Sequence, residues 1–370
     1  DVLNTDQVDA VADYLRKRPS NTYTHGTPHS VYTPANTILS AKPKNVILLV
    51  GDGMGLTQMF AGYTANRGSL NIFKIKTIGF SVTTSADHYI TDSAAGATAM
   101  ATGSKTKNRY VSVDTTGRPL VPLTTVLKTK GFQNILISSG DITDATPAAF
   151  YAHQTERSLS EAIATDLLNG KIDIVIGAGV NSFVNRKDSV NLLQQFENKG
   201  FVVSQQVRDL DTLSARRFLM LDNQAGKRML QGRGNFLADA FHASVRSYSR
   251  TKIPFFMMAE GAQIDWGGHA NELNYVVTEM LDFDQLVGSA LAFADADRET
   301  LVVVTADHET GGLSLTGGDV SNGSVEGNFS TADHTAVLVP VFAYGPGAER
   351  FQGVFPNTEI YHKIKQLLAD

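Results

Sequence analysis

A chain of 370 residues that is 42% hydrophobic and carries a formal net charge of −5 can bury a large core and offers no general attraction for polyanions such as nucleic acid. It has no cysteine, which excludes thiolate metal sites and cysteine nucleophiles and leaves His, Asp and Glu as the strong metal ligands. No apolar run approaches the length of a membrane span, and a first residue Asp1 is compatible with a removed signal peptide.

In chain order, residues 1–18 read as a short polar helix, with Val8, Val11, Ala12 and Leu15 at helical spacing. The stretch RPSNTYTHGTPHSVYTPAN then reads as a loop, so residues 1–40 are expected to be a peripheral arm that covers a subunit interface or stays mobile. From residue 41 to 370 a single domain is expected. Six short apolar runs, NVILLVG, FQNILISS, KIDIVIGAG, PFFMMAEG, ETLVVVTAD and VPVFAYGP, are bounded by turn or polar residues and read as buried strands. Helical patterns separate them, the clearest after residue 271, where Val276, Met280, Phe283, Val287, Ala290 and Ala294 recur at spacings of three and four. The alternation predicts an α/β fold with an open, mostly parallel central sheet and helices on both faces, where ligands gather at the carboxyl ends of the strands. The Gly-rich GGDVSNGSVEGN near residue 320 predicts a flexible loop ahead of His334.

Three of those strands end in metal-type ligands: Asp52 after NVILLV, Glu260 after PFFMMA, and Asp307 with His308 after LVVVTA. A carboxylate beside a buried strand is costly unless something pairs with it, and several on one sheet edge repel one another unless cations lie between them. Each acid taken alone could equally cap a helix or fill a turn. Asp265 and His269, four apart in EGAQIDWGGHA, share a face if that segment is helical, and His334 precedes another apolar strand. The histidines at 25, 29, 88, 153, 242 and 362 lack such a setting and read as structural or solvent-facing. In TDSAAGATAM, Ser93 stands at the start of a helix of small residues. Such a serine is an ordinary N-cap, but the same helix start offers free backbone N–H groups and a positive dipole end to a phosphate. Ser93 needs an activator to act as a nucleophile, and with no histidine inside the motif a metal is the better candidate.

GDGMG, TDSAAGATAMATGSKT, DATPAAFYAH, EGAQIDWGGHA, TADHETGG and HTAVLVPVFAYGP, in that order, resemble the alkaline phosphatases, from about residue 44 to the end and closest to the compact bacterial members. The resemblance implies two zinc ions and one magnesium ion. Asp265, His269 and His334 would hold the first zinc; Asp52, Asp307 and His308 the second, with Ser93 as its exchangeable partner; and Asp52, Thr146 and Glu260 the magnesium. Arg157 falls where the family keeps a phosphate-clamping arginine, oriented by Asp92. The implied activity is hydrolysis of phosphate monoesters through a phosphoserine on Ser93, favoured at alkaline pH and tolerant of many leaving groups. A homodimer exported to the periplasm or beyond is implied as well. The alternatives are a phosphodiesterase or sulfatase on the same metal-binding fold, or a silent phosphate or metal binder.

One position departs from the family pattern. Relatives reading IDW usually carry His where this chain has Asp144, and relatives with Asp there usually carry Lys where this chain has Trp266. Natural variation and an engineered replacement both fit the mixed pairing. With Trp266 supplying no cation and no ammonium beside Asp144, hydrated magnesium rather than zinc is expected at the third site.

Overall fold

The computed structural model describes residues 21–24, 26–35, 42–212 and 216–369, together with residue 5, so the helix expected over residues 1–18 lies, apart from that residue, outside them. A ten-stranded sheet forms the centre. Its strands in chain order are β1 (Asn45–Gly51), β2 (Thr77–Val82), β3 (Gln133–Asp141), β4 (Ile174–Ala178), β5 (Val202–Ser204), β6 (Phe218–Leu221), β7 (Phe255–Gly261), β8 (Thr300–Thr305), β9 (Val339–Tyr344) and β10 (Gly353–Pro356). Across the sheet they lie in the order β10-β2-β9-β8-β1-β7-β3-β4-β6-β5. Every pairing is parallel except those of β9, which opposes both of its neighbours.

Both faces are covered, which is why the central strands read as continuous apolar runs. Ile47 and Leu49 of β1 point into one core layer with the helices Leu56–Ala65, Phe236–Thr251 and Leu273–Asp297. Val46, Leu48 and Val50 point into the other with Ser93–Thr102, Leu123–Thr129 and Thr358–Ala369. The expected helix after residue 271 is Leu273–Asp297, and its six periodic apolar residues are all buried.

Two expectations fail. The Gly-rich segment is not a flexible loop but a β-hairpin, Leu313–Asp319 paired with Ser324–Phe329. In its second strand Val325, Gly327 and Phe329 are buried while Glu326 and Asn328 are exposed, a period of two that the turn-forming residues masked. The loop-like stretch near residue 20 supplies a third strand, Thr22–Tyr23, antiparallel to Ser324–Phe329. Residues further along it are tied to the long helix: His29 Nε2 lies 2.8 Å from Asp284, and Tyr32 donates to Asp295 at 2.7 Å.

Candidate active site

The site follows from the adjacency of β8, β1 and β7. Val50 registers with Thr305 on one side and Glu260 on the other, so Asp52, Glu260, Asp307 and His308 emerge along one stretch of the carboxyl edge. All four are buried, as are Asp265, Thr146 and His334. Asp265 and His269 share the helix Gln263–His269, with Asp265 Oδ1 3.4 Å from His269 Nε2. His334 Nε2 lies 3.1 Å from His269 Nε2 and 3.5 Å from Asp265 Oδ1. Around His308 Nε2 stand Asp307 Oδ2 at 3.1 Å, Asp52 Oδ1 at 3.5 Å and Ser93 Oγ at 3.1 Å.

The other ring nitrogens decide what these atoms offer. His269 Nδ1 meets the carbonyl of Ala332 at 2.7 Å and His334 Nδ1 the carbonyl of Thr91 at 2.9 Å. A carbonyl can only accept, so each Nδ1 carries a hydrogen, which leaves Nε2, turned toward Asp265, as the nitrogen that can offer a lone pair. The Thr310 hydroxyl donates to Asp265 Oδ1 and so accepts from His308 Nδ1, 3.2 Å away, which aims the His308 Nε2 lone pair at Asp52, Asp307 and Ser93. Among the described residues, the buried Asp52 Oδ1 and Asp307 Oδ2 have no assigned hydrogen-bond partner, although His308 Nε2 stands 3.1 Å from the latter. Two clusters of converging lone pairs with orphaned carboxylate oxygens are what a divalent cation satisfies. Asp265, His308 and His334 also lie close enough together to share an ion, as do His269, His334 and the neighbouring Asp333.

Ser93 is the first residue of the helix Ser93–Thr102, and Asp92 is its cap, accepting from the Ala95 N–H at 3.0 Å. The Ser93 hydroxyl is therefore released from capping. Asp92 Oδ2 accepts from Arg157 Nη1 at 3.2 Å, and Asp144 Oδ1 from Arg157 Nη2, also at 3.2 Å. The cationic neighbour that the sequence did not give Asp144 is thus the Arg157 guanidinium, brought from thirteen residues away. Thr146 donates to Asp52 Oδ2 at 3.3 Å, and Ser138 donates to Glu260 at 2.5 Å. A cavity of about 340 Å³ beside Arg157 is lined by Arg109, Asp141, Asp144, Ser158 and Trp266. Sequence reasoning missed Ser138, Thr310, Arg109 and Asp333; of these only Ser138, in a run of hydroxyls at the end of an expected strand, left any signal.

The family model for alkaline phosphatase matches residues 43–327. The chain belongs to the alkaline phosphatase family. It is 31% identical to alkaline phosphatase 3 of Bacillus subtilis, over 88% of this chain and 89% of that protein. Among solved structures, the alkaline phosphatase of the Antarctic bacterium TAB5 matches with a TM-score of 0.85 at 39% identity, covering 89% of this chain and 98% of that one. A His-to-Asp variant of the TAB5 enzyme, solved with Mg bound in the M3 site, matches with the same TM-score and identity, covering 89% and 99%. The chain is accordingly an enzyme, a phosphoric monoester hydrolase of the alkaline phosphatase family.

In this alkaline phosphatase site, burial and the neighbouring charges pull the carboxyl and imidazole groups in different directions. Burial, reinforced by Asp307 and Asp265, pushes Asp52 well above the usual carboxylate range. Burial likewise lifts Glu260 to about 8 and raises Asp265. Burial opposes ionisation of Asp307 too, yet His308 beside it holds it down at about 2, and Asp307 in turn raises His308 against the same burial. Burial, with His308 adjacent, depresses His334 to about 3. Protons sit where cations would neutralise the carboxylates, so metal loading displaces them.

Proposed function

We propose that this enzyme hydrolyses phosphate monoesters through a covalent phosphoserine on Ser93, with broad tolerance for the leaving group. The observation that carries this is the uncapped Ser93 hydroxyl, 3.1 Å from His308 Nε2 at the border of the lone-pair cluster. Asp265, His269 and His334 would hold one zinc ion and Asp52, Asp307 and His308 another. Asp52, Thr146 and Glu260, with Asp144 acting through water, would hold magnesium. The His-to-Asp variant of the TAB5 enzyme was solved with Mg bound in its M3 site, and our reading takes Asp144 as the corresponding carboxylate of this chain. When bound, such cations lower the pKa of hydroxyl and water and stabilise the charge on a departing oxygen.

The chain does the rest. Arg157, braced by Asp92 and Asp144, presents its guanidinium to two phosphoryl oxygens, and burial is overcome by those carboxylates, which keep it charged. The free N–H groups at the start of the Ser93 helix face the same phosphoryl group. Ser93 Oγ attacks phosphorus as the ester oxygen leaves opposite to it with its bonding pair and takes up a proton as the alcohol. Water then attacks the phosphoserine, releasing inorganic phosphate and returning the proton to Ser93. The Nδ1 hydrogen bonds of His269, His334 and His308 keep all three Nε2 lone pairs directed inward throughout. Leaving-group tolerance follows from the placement of these contacts, which address only the phosphoryl group.

Acid-quenched enzyme incubated with labelled phosphate should carry label on Ser93, and Ser93→Ala protein should carry none; label on the variant sinks the assignment. Turnover of a nitrophenyl monoester should stop with a chelator and return with zinc plus magnesium, and the corresponding diester should react far more slowly.

For assembly, the reading is a homodimer. Leu56 and Phe60 stand about half exposed on the helix Leu56–Ala65, and Phe60 continues into a stack with Tyr63 at 5.6 Å and Phe73 beyond it at 5.6 Å from Tyr63. An exposed apolar group of this kind favours self-association. Sedimentation should show a dimer, and Phe60→Asp should shift it to monomer. Export to the periplasm or beyond is the corresponding reading of location; no described helix is long and apolar enough to cross a membrane.

A further inference from the structure

We infer that the Arg109–Glu156 ion pair is a latch that positions Arg157 for phosphate, an inference that rests on the phosphatase reading of this site. Arg109 grips the Arg157 region at two points. Its backbone N–H donates at 3.0 Å to Asp92 Oδ2, the same oxygen that receives Arg157 Nη1. Its side chain makes a forked contact with Glu156, the residue preceding Arg157: Nε lies 3.0 and 2.9 Å from the two carboxylate oxygens, and Nη2 lies 2.5 Å from Oε1. Glu156 Oε1 also accepts from Ser158, through N–H at 3.1 Å and the hydroxyl at 3.0 Å, so the turn bearing Arg157 is closed on both sides. The result is a ring from Arg109 through Glu156, the peptide to Arg157 and Asp92, and back to the Arg109 amide.

Two further observations separate this from a chance surface pair. Arg109 has φ +71°, an uncommon conformation for a residue with a side chain, at the residue whose N–H reaches Asp92 while its guanidinium reaches Glu156. Arg109 also lines the cavity beside Arg157 and Trp266, so the latch shares a wall with the group it positions. It holds Glu156 at about 2, ionised across the working range. Arg109 does not need to touch phosphate; it limits the positions open to the group that does. A pair more than half exposed on the arginine side is worth little alone, so its effect should be modest and sensitive to salt.

The test uses zinc- and magnesium-loaded enzyme, with inorganic phosphate as the probe. Arg109→Gly keeps the amide donor in a conformation glycine adopts freely and removes the fork together with the arginine's share of the cavity wall; Glu156→Gln removes the other charge and leaves that wall in place. Each should raise the phosphate inhibition constant and the KM roughly three- to tenfold, with a smaller change in kcat, and the double variant should be no worse than either single one. The gap from the parent enzyme should close in 1 M salt as the charges are screened. Arg109→Lys, which keeps charge without the fork, should recover part of the loss. Inhibition constants equal to the parent's, or a double effect equal to the product of the two single ones, would overturn the latch while leaving the phosphatase reading intact. A parent enzyme that neither turns over monoesters nor binds phosphate overturns both.

Discussion

Ser93 is available for chemistry because Asp92 caps its helix, so the serine's loss should leave the fold almost untouched and remove turnover. Ser93→Ala is expected to lower kcat by about four orders of magnitude or more, while the melting temperature stays near that of the parent; retention of a tenth of the activity would exclude Ser93 as nucleophile. Thr310 works one step back. Its hydroxyl donates to Asp265 and accepts from His308, fixing a carboxylate of one cluster and the tautomer of the other. Thr310→Val keeps the side-chain shape and should weaken metal retention about 10- to 100-fold in a chelator competition, whereas Thr310→Ser should stay close to the parent. Equal retention by the valine variant would mean that the lone pairs are aimed by something else.

The elements are held together as closely as the side chains. Gly53, in the turn after β1, has φ +71°, and a Cβ there would come within 2.7 Å of the Asp265 Cα. The turn presenting Asp52 thus lies against the helix presenting Asp265 at a distance only glycine permits. Gly131 is a useful control, with φ +82° and, among the described residues, nothing within 4 Å of the Cβ it would gain. Gly131→Ala should cost about 1–2 kcal/mol of stability from backbone strain alone, and Gly53→Ala should add about 1–3 kcal/mol from crowding. Urea unfolding of the metal-free proteins measures the difference, and equal losses would show that the two elements yield. The same geometry explains what the chain revealed before folding. The six short apolar runs were legible as strands because both faces of the central sheet are covered, and the acids at the ends of three of them were legible as one cluster because neighbouring parallel strands end together. β5, with three residues, and β2, with only alternate burial, carried too little apolar signal. The hairpin near residue 320 hid behind its own turn formers. Thr310 and Arg109 have no periodicity to betray them, and their roles exist only through partners brought near by the fold.

At the scale of the molecule the buried acids link folding, protons and metals. Glu260 titrates at about 8 in the folded protein against an ordinary value of 4.5, and Asp52 moves in the same direction. A raised carboxyl stabilises the folded state fully below its unfolded value, and that contribution drains away as pH rises toward the folded value. Asp307, held at about 2 against 3.8, acts oppositely: its contribution is present above 3.8 and is lost only as pH falls toward 2. Between pH 4.5 and about 8 Asp307 is therefore constant while Glu260 and Asp52 lose ground, and His334, depressed to about 3 against 6.5, gains as pH rises to 6.5 and offsets only part of that loss. Metal-free protein should accordingly melt at lower temperature at pH 8 than at pH 5, by an amount corresponding to a few kcal/mol. Cations reverse the sign, because they bind the deprotonated carboxylates and gain affinity as protons leave. The rise in melting temperature on adding zinc and magnesium should thus grow from pH 5 to pH 8. Calorimetric scans at three pH values, with chelator and with metals, would measure both trends, and a metal-induced rise that is flat or shrinking with pH would show that these carboxylates are not where the ions bind.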